Sequence, residues 1–203
     1  MRLLVAALAL TTTASAALAA DPPADRWHSK AREILERSIA IPTVEGRGKV
    51  QELAEYLAGE YRAAGWAESD IHVLPYDATP TNKTAAFIAR WPAARPSGRK
   101  PILLMAHMDV VEARREDWSV EPFRLSEQDG YYYGRGTSDI KQGITAVTTA
   151  LFRLKAEGFK PTRDIVVLFT GDEETSGTGA ELGATEWRKW TDAEFALNSD
   201  GGG

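Results

Sequence analysis

Two short, wholly apolar runs constrain the fold of this chain more than any other feature. Residues 102–106 read Ile-Leu-Leu-Met-Ala and residues 165–169 read Ile-Val-Val-Leu-Phe, each bounded by residues that favour turns. A strand exposed on one face alternates apolar and polar side chains, whereas a strand covered on both faces is apolar throughout. Runs this short favour strands over buried helices. We therefore predict two central strands of a sheet that is covered on both faces.

The segments around these runs alternate between helical and extended patterns. Gly65 is placed to cap a helix whose apolar residues recur at helical spacing. Asp129-Gly130 favours the turn of a hairpin across residues 124–134. Alternating strands and helices indicate an α/β domain with a mixed, largely parallel central sheet flanked by helices. The other predicted elements are helices at 26–40, 49–64 and 142–157, and strands at 71–75, 84–91 and 195–199.

The first twenty residues have the layout of a secretory signal peptide. Arg2 provides a positive charge, an apolar run follows at 3–10, and small residues fill 11–20. The apolar run is too short to cross a bilayer, because a membrane-spanning helix needs about 20 apolar residues. We predict cleavage near Ala19 or Ala20, export to the periplasm or the medium, and no stable membrane anchor.

Charge and cysteine content narrow the class of site. The net charge of −5 disfavours a nucleic-acid surface, since phosphate binding needs a basic face. The chain has no cysteine, so an exported form relies on its core rather than on disulfides. Any zinc ion must then be held by histidine, aspartate and glutamate, which are typical of catalytic rather than structural zinc sites.

Acidic residues and a histidine follow three of the predicted strands. Ligands of α/β proteins bind beyond the carboxyl ends of the strands, so side chains placed there converge although they are distant in sequence. Each cluster alone also has a purely structural interpretation: a half-buried histidine, a helix start, an N-cap or a turn. Together the clusters favour one site. The residues concerned are His107 and Asp109 after 102–106, Asp172, Glu173 and Glu174 after 165–169, Asp200 after 195–199, and Asp139 before the helix at 142–157.

The chemistry of these side chains favours a metal site. So many carboxylates close together repel one another unless cations are present. A histidine that binds a metal usually has its second ring nitrogen held by a carboxylate, and Asp109 is placed two residues after His107 for that role. The neighbouring residues Glu173 and Glu174 can divide the work, one binding metal and the other moving protons.

Four segments resemble the successive motifs of the M20 family of zinc metallopeptidases, which includes glutamate carboxypeptidases, aminoacylases and related dipeptidases. The resemblance runs from about residue 26 to the end and is strong from 102 to 203. Four motifs in the family's order, with family-like gaps, are far more specific than any one of them. The segments are MAHMDVV at 105–111, YGRGTSDIKQG at 133–143, FTGDEE at 169–174 and LNSDGGG at 197–203.

The resemblance implies a role for each matching residue and a site for two zinc ions. It also implies a cis peptide after the bridging aspartate, between Asp139 and Ile140. The implied roles are His107 as a ligand of the first zinc, Asp139 as the bridge between both, Glu174 as a ligand of the second, Asp200 as the residue that completes the first, Glu173 as the general base, and Asp109 as the residue that orients His107.

The resemblance further implies a smaller lid or dimerisation domain and a C-terminal return that carries another histidine ligand for the second zinc. His28 and His72 match no such position. We therefore expect residues 21–203 to be the N-terminal portion of the catalytic domain, with the lid and the C-terminal part absent. Such a portion is expected to bind zinc weakly and to hydrolyse little, and any homodimer is expected to form through the absent lid.

These features predict a dizinc metallohydrolase that cleaves amide or peptide bonds. Carboxypeptidase, dipeptidase and N-acyl amino acid hydrolase activities all remain open, with a peptide or an N-acyl amino acid as substrate. One alternative is a truncated, inactive metal-binding relative. A second alternative uses Ser138 as a nucleophile, but Gly-Thr-Ser-Asp-Ile is not a nucleophile elbow. Arg135 is interpreted as a brace for its loop.

Overall fold

The computed structural model describes residues 24–201 of the chain. The predicted signal peptide at 1–20 lies outside this range. Two single-turn 3-10 helices, Glu68–Asp70 and Arg115–Asp117, join longer elements. The longer elements are α1 (Ala24–Ala40), α2 (Val50–Ala63), β1 (Ile71–Thr79), β2 (Asn82–Trp91), β3 (Ile102–His107), β4 (Ser126–Gln128), β5 (Tyr131–Tyr133), α3 (Lys141–Ala156), β6 (Ile165–Thr170), α4 (Thr178–Ala184), α5 (Arg188–Thr191) and β7 (Phe195–Asn198).

Five strands form one sheet in the order β1-β2-β6-β3-β7. Strands β6, β3 and β7 are parallel, β2 runs against β6, and β1 runs against β2. Four of the five strands therefore point the same way, which confirms the mixed, largely parallel α/β sheet. The register aligns His107 of β3 with Thr170 of β6, so these two strands end at the same edge of the sheet.

Both faces of the sheet are covered, as the two apolar runs predicted. Side chains alternate between the faces of a strand, and Phe87 and Phe169 pack in the core beneath α1, α2 and α3. Their neighbours Ile88 and Leu168 pack on the opposite face with Trp187, where α4 and α5 lie. The interior strand β6 is therefore apolar from Ile165 to Phe169, since neither face meets water.

The helix α2 ends as its sequence predicted. Gly65 has a φ of +86°, in the left-handed region that only glycine adopts readily. The N–H of Gly65 donates to the carbonyl of Arg62, and the N–H of Trp66 donates to that of Tyr61. This pair of bonds satisfies carbonyls that the last helical turn leaves without partners. The chain then turns sharply toward β1.

Two of the longer elements were not predicted, and β7 lies at an edge of the sheet within the described residues. Helices α4 and α5 have only seven and four residues, too short for a clear apolar period. Strand β7 pairs with β3 on one side, and all four of its residues are exposed. Within residues 24–201, no helix combines the length and the apolar character needed to cross a membrane.

Candidate metal centre

The predicted site residues meet where β3, β6 and β7 end. His107 is the last residue of β3, and Asp109 lies two residues beyond it. Glu173 and Glu174 belong to the turn after β6. The structure brings all six of the predicted ligands and catalytic residues into this one region, within reach of the His107 ring: His107, Asp109, Asp139, Glu173, Glu174 and Asp200.

The Nε2 atom of His107 is the centre of a ring of carboxylates. It lies 3.1 Å from Oδ1 of Asp139, 3.8 Å from Oε2 of Glu173 and 3.9 Å from Oδ2 of Asp200. The imidazole itself is almost completely buried, whereas the Asp139 and Glu173 side chains are at least half exposed. The site is therefore a cleft with a buried histidine at its base and carboxylates open to solvent.

Asp109 connects the two loops that carry the site. The Nδ1 atom of His107 lies 3.0 Å from the Asp109 carbonyl oxygen and 3.4 Å from its Oδ1. The two carboxylate oxygens of Asp109 also accept hydrogen bonds from the backbone N–H groups of Glu173 and Glu174, at 3.1 and 2.9 Å. Asp109 is buried, so these bonds are protected from water. The carboxylate thus fixes both the ring orientation of His107 and the position of the glutamates.

The donor set and its spacing fit a metal ion. The site contains two groups of three potential ligand residues, and His107 belongs to both. Within each group, the three ligand atoms lie within 4.8 Å of one another. Imidazole nitrogen and carboxylate oxygen are accepted ligands of zinc. One group adds Asp139 and Glu174 to His107, and the other adds Glu173 and Asp200. Because each glutamate belongs to one group, the assignment of Glu174 as ligand and Glu173 as base stays a prediction.

The electrostatics of the site favour a positive charge at its centre. Burial lowers the pKa of His107, but the neighbouring carboxylates of Asp109, Glu173 and Asp139 outweigh it and raise that pKa to about 9. Burial, with the charge of Asp139 second, raises the pKa of Glu174 above its ordinary value. The same crowding of carboxylates attracts a divalent cation, which would offset their mutual repulsion.

Asp172 belongs to the predicted cluster by sequence but has a different role. It is completely buried, and its Oδ1 accepts hydrogen bonds from the hydroxyl of Tyr76 at 2.6 Å and the N–H of Gly179 at 2.9 Å. Its Oδ2 accepts a bond from the Ser176 hydroxyl at 2.6 Å. These bonds fold the turn that presents the glutamates. No local pattern indicated Tyr76, because this residue of β1 lies 96 residues from Asp172 in the chain.

The loop before α3 presents Asp139. The Asp139–Ile140 peptide is cis, as the family resemblance implied. Arg135 donates from its guanidinium to the carbonyl of Glu112 at 3.3 Å and stacks over the ring of Trp118 at 5.1 Å, which agrees with its interpretation as a brace. Both ring nitrogens of His107 face Asp109 and Asp139, so this histidine is not placed to activate Ser138 as a nucleophile.

A cavity of about 300 Å³ opens beside Glu174. Thr43, Val44, Asn82 and Asp109 also line it. The other two histidines lie elsewhere: His28 is exposed on α1, and His72 on β1 stacks against Trp190 with ring centroids 4.6 Å apart. Neither of them belongs to a group of potential metal ligands among the described residues.

Comparison with known proteins places this site in a peptidase family. Residues 103–201 match the model of peptidase family M20/M25/M40. The chain is 48% identical over 82 residues to the N-fatty-acyl-amino acid synthase/hydrolase of Homo sapiens, covering 40% of this chain and 16% of that protein. It is 44% identical over 87 residues to a probable succinyl-diaminopimelate desuccinylase of Staphylococcus aureus, covering 42% of this chain and 21% of that protein.

Comparison of folds also finds a peptidase, and the match covers a larger part of the chain than the sequence matches do. The crystal structure of the dipeptidase Dug1p from Saccharomyces cerevisiae superposes with a TM-score of 0.74 and 25% sequence identity. That match covers 87% of this chain and 39% of the yeast chain. The chain thus spans about a fifth or less of the length of the two curated relatives. The family model covers the site-bearing residues and the relatives agree with it, so residues 103–201 form an M20-type peptidase segment.

Proposed function

We propose that this chain is the metal-binding part of an exported hydrolase that uses two zinc ions to cleave amide bonds. The observation that carries the proposal is the approach of three carboxylates to within 3.9 Å of one ring nitrogen of His107. The residues that would hold the zinc ions in this proposal are His107, Asp139, Glu174 and Asp200, and Asp139 would be a ligand of both ions.

Each residue of the site has a task in amide hydrolysis. Zinc, when bound, lowers the pKa of a water molecule and stabilises negative charge on a carbonyl oxygen. Glu173 is the general base: it accepts a proton from the attacking water and returns that proton to the leaving nitrogen. Its side chain is half exposed, so a substrate can reach it from the open side of the cleft. Asp109 keeps the Nδ1 side of His107 occupied and leaves Nε2 for metal.

The proposed substrate is a peptide or an N-acyl amino acid. The names of the two curated relatives refer to N-fatty-acyl-amino acids and to succinyl-diaminopimelate, and the yeast structure is that of a dipeptidase. An acyl or peptidyl group on the nitrogen of an amino acid is common to all three. The cavity beside Glu174 is the proposed place for one side of the scissile amide.

The complete protein is proposed to extend beyond these residues. The two groups of potential ligands share His107, so among residues 24–201 a second zinc would have only carboxylate ligands of its own. A histidine from a C-terminal return of the chain, together with a lid domain that also forms a homodimer, is proposed to complete the site. Export through the signal peptide at 1–20 is part of the same proposal and is tested by N-terminal sequencing of the mature protein.

The two adjacent glutamates provide the sharpest test of the function in the complete protein. Glu173→Gln keeps size and polarity but removes the base, so both zinc ions should stay bound while the rate falls by about 10²–10⁴-fold. Glu174→Gln replaces a charged ligand by a neutral amide, so zinc content should fall and added zinc should partly restore activity. Metal analysis and kinetics are performed on the same samples of both variants.

The outcomes separate three cases. If Glu173→Gln loses metal while Glu174→Gln keeps it and is inactive, the two roles are reversed. If neither substitution changes turnover, the dizinc mechanism is wrong for this protein. If the unmodified complete protein binds zinc but hydrolyses no peptide or N-acyl amino acid, it is a metal-binding relative rather than an enzyme of this class.

A further inference from the structure

Lys141 is a fully buried lysine that forms no salt bridge among the described residues. It is the first residue of α3, two positions after Asp139, and its side chain is inaccessible to solvent. Its Nζ donates hydrogen bonds to two backbone carbonyls, those of Ser38 at 2.8 Å and Ile41 at 2.9 Å. Both acceptors lie where α1 ends. The amino group therefore joins the loop of Asp139 to the C-terminal end of a helix that is 100 residues earlier in the chain.

Packing alone does not account for a lysine at this position. Burying an amine costs several kcal/mol unless its hydrogen-bonding needs are met, and a methionine of similar length would fill the space without that cost. The carbonyls at the end of a helix have no partners within the helix and carry partial negative charge, so they are suitable acceptors for a cation. Lys141 thus provides a specific connection between two chain segments that an apolar side chain cannot provide.

The stem of this lysine is also held in place. The backbone N–H of Lys141 donates to the carbonyl of Gly136 at 2.8 Å. Gly136 has a φ of +92°, and a Cβ atom there would lie 3.0 Å from Cδ of Lys141. The turn that carries Asp139 therefore closes directly around the lysine side chain, and a movement of Lys141 moves the turn with it.

The same segment reaches the other half of the metal centre through Thr43. The buried hydroxyl of Thr43 donates to the carbonyl of Met108 at 2.6 Å, and the N–H of Val110 donates to the carbonyl of Thr43 at 3.2 Å. Met108 and Val110 flank Asp109. Residues 38–44, which we call the strap, are therefore bonded to the Asp139 loop at one end and to the His107–Asp109 loop at the other.

We propose that Lys141 and Thr43 are positioning residues, which act through the strap to set the separation between Asp139 and the His107–Asp109 pair and so the affinity of the site for metal. The proposal rests on the proposed metal centre, since the strap is inferred to serve it. The strap touches no potential ligand by side chain in the contacts above. Its effect on metal binding is therefore indirect and passes through the backbone of the two loops.

The test compares Lys141→Met, Thr43→Val and the double variant in this chain. The control is Val166→Ala, a cavity-forming change on the opposite face of the sheet, which destabilises the fold without touching the strap. Co²⁺ affinity and the Co²⁺ absorption spectrum are measured for each. We expect about 10–100-fold weaker binding and an altered spectrum in both single variants, as is typical when residues that orient metal ligands are changed. The double variant should lose little more than either single variant, because both act on one strap.

A metal-free measurement accompanies the titration. Amide hydrogen exchange is followed at Val110, whose N–H bonds to the strap, and at Val73 in β1, which pairs with Phe87 of β2. Lys141→Met should accelerate exchange at Val110 and leave Val73 unchanged. Thr43→Val serves the same purpose if Lys141→Met does not fold.

The outcomes of the two measurements are distinct. Co²⁺ affinity in Lys141→Met and Thr43→Val equal to that of Val166→Ala overturns the positioning role while the metal centre stands. If the unmodified chain binds no Co²⁺, the proposed metal centre fails for this chain, and hydrogen exchange decides the strap alone. In that case, unchanged exchange at Val110 overturns the role of the strap. Selective acceleration of exchange at Val110 supports the strap as a link between the two loops.

Discussion

His107 shows how one side chain organises the site. It occupies the end of an interior strand, where burial would leave a neutral imidazole, yet acidic groups face both of its ring nitrogens. A metal ion on Nε2 would take the place of the proton that these carboxylates favour. His72 provides the contrast, because it stacks against Trp190 and has no such ring of carboxylates among the described residues.

We predict that His72 makes the fold sensitive to mild acid. Burial, with the nearby charge of Lys189, lowers the pKa of His72 below its ordinary value although Asp70 opposes the shift. The unfolded chain therefore binds this proton more readily than the folded chain. The pKa shift of His72 therefore contributes to the free energy of unfolding at pH values above the unfolded pKa near 6.5. This contribution is lost as the pH falls below that value.

The measurement is urea denaturation of the unmodified chain and His72→Gln between pH 8 and about pH 5. His72→Gln should lose less stability than the unmodified chain over this interval. His28→Gln, at an exposed position on α1, should follow the unmodified chain. Equal pH dependence in the unmodified chain and His72→Gln would rule out the effect, since His107 titrates in all three proteins and cancels.

The residues of the site were predictable only where the sequence places them near a strand end or inside a motif. His107 and Glu174 follow apolar runs, so their position at the edge of the sheet follows from the strands alone. Lys141, Thr43 and Tyr76 escaped prediction as positioning residues because their partners lie 65 to 103 residues away. Side-chain bonds over such distances depend on the finished fold and leave no local pattern.

At the scale of elements, the turn between β6 and α4 carries much of the site. The Asp172 carbonyl accepts bonds from the N–H groups of Thr175, Ser176 and Gly177, and its carboxylate joins the turn to β1 and to α4. Asp172 therefore stabilises the turn through its own hydrogen bonds. Asp109 accepts hydrogen bonds from the backbone N–H groups of both glutamates. The glutamates are therefore fixed between two buried carboxylates.

Asp172→Asn should destabilise this turn. An amide presents one acceptor oxygen in place of two, so at least one of the donors from Tyr76, Ser176 and Gly179 loses its partner in a buried place. We expect a loss of about 1–3 kcal/mol in the free energy of unfolding, measured by urea denaturation. Asp117→Asn, in an exposed 3-10 helix, is the matched control and should change the stability little. A loss no larger than that of the control would contradict the role given to Asp172.

The elements themselves were largely predictable. Apolar runs gave β3 and β6 to within one residue, and Asp129-Gly130 gave the β4–β5 hairpin, where both residues have a positive φ. Helices α4 and α5 were missed because glycine-rich residues 177–184 show no apolar period. These short helices depend on contacts with β1 and β6 rather than on local sequence.

At the scale of the whole molecule, strand order decides where chemistry takes place. Strand β6 inserts between β2 and β3, although β2 and β3 are neighbours in sequence. This insertion sets the turn with Glu173 and Glu174 beside the end of β3, and β7 on the other side of β3 adds Asp200. A sequence pattern predicts strands but not their order, which depends on non-local packing. The family resemblance implied which residues share the site, but not the order of the strands.

The most direct test of the metal centre is equilibrium zinc binding by this chain, measured as bound Zn²⁺ per chain after dialysis. The unmodified chain and His28→Ala should bind Zn²⁺ with equal affinity, because His28 is exposed and remote from the carboxylates. His107→Ala removes the residue common to both ligand groups and should weaken binding by at least about 10-fold, while its circular dichroism stays that of a folded chain. Zinc binding by a folded His107→Ala chain that equals that of His28→Ala would contradict the assignment of this site as a metal centre.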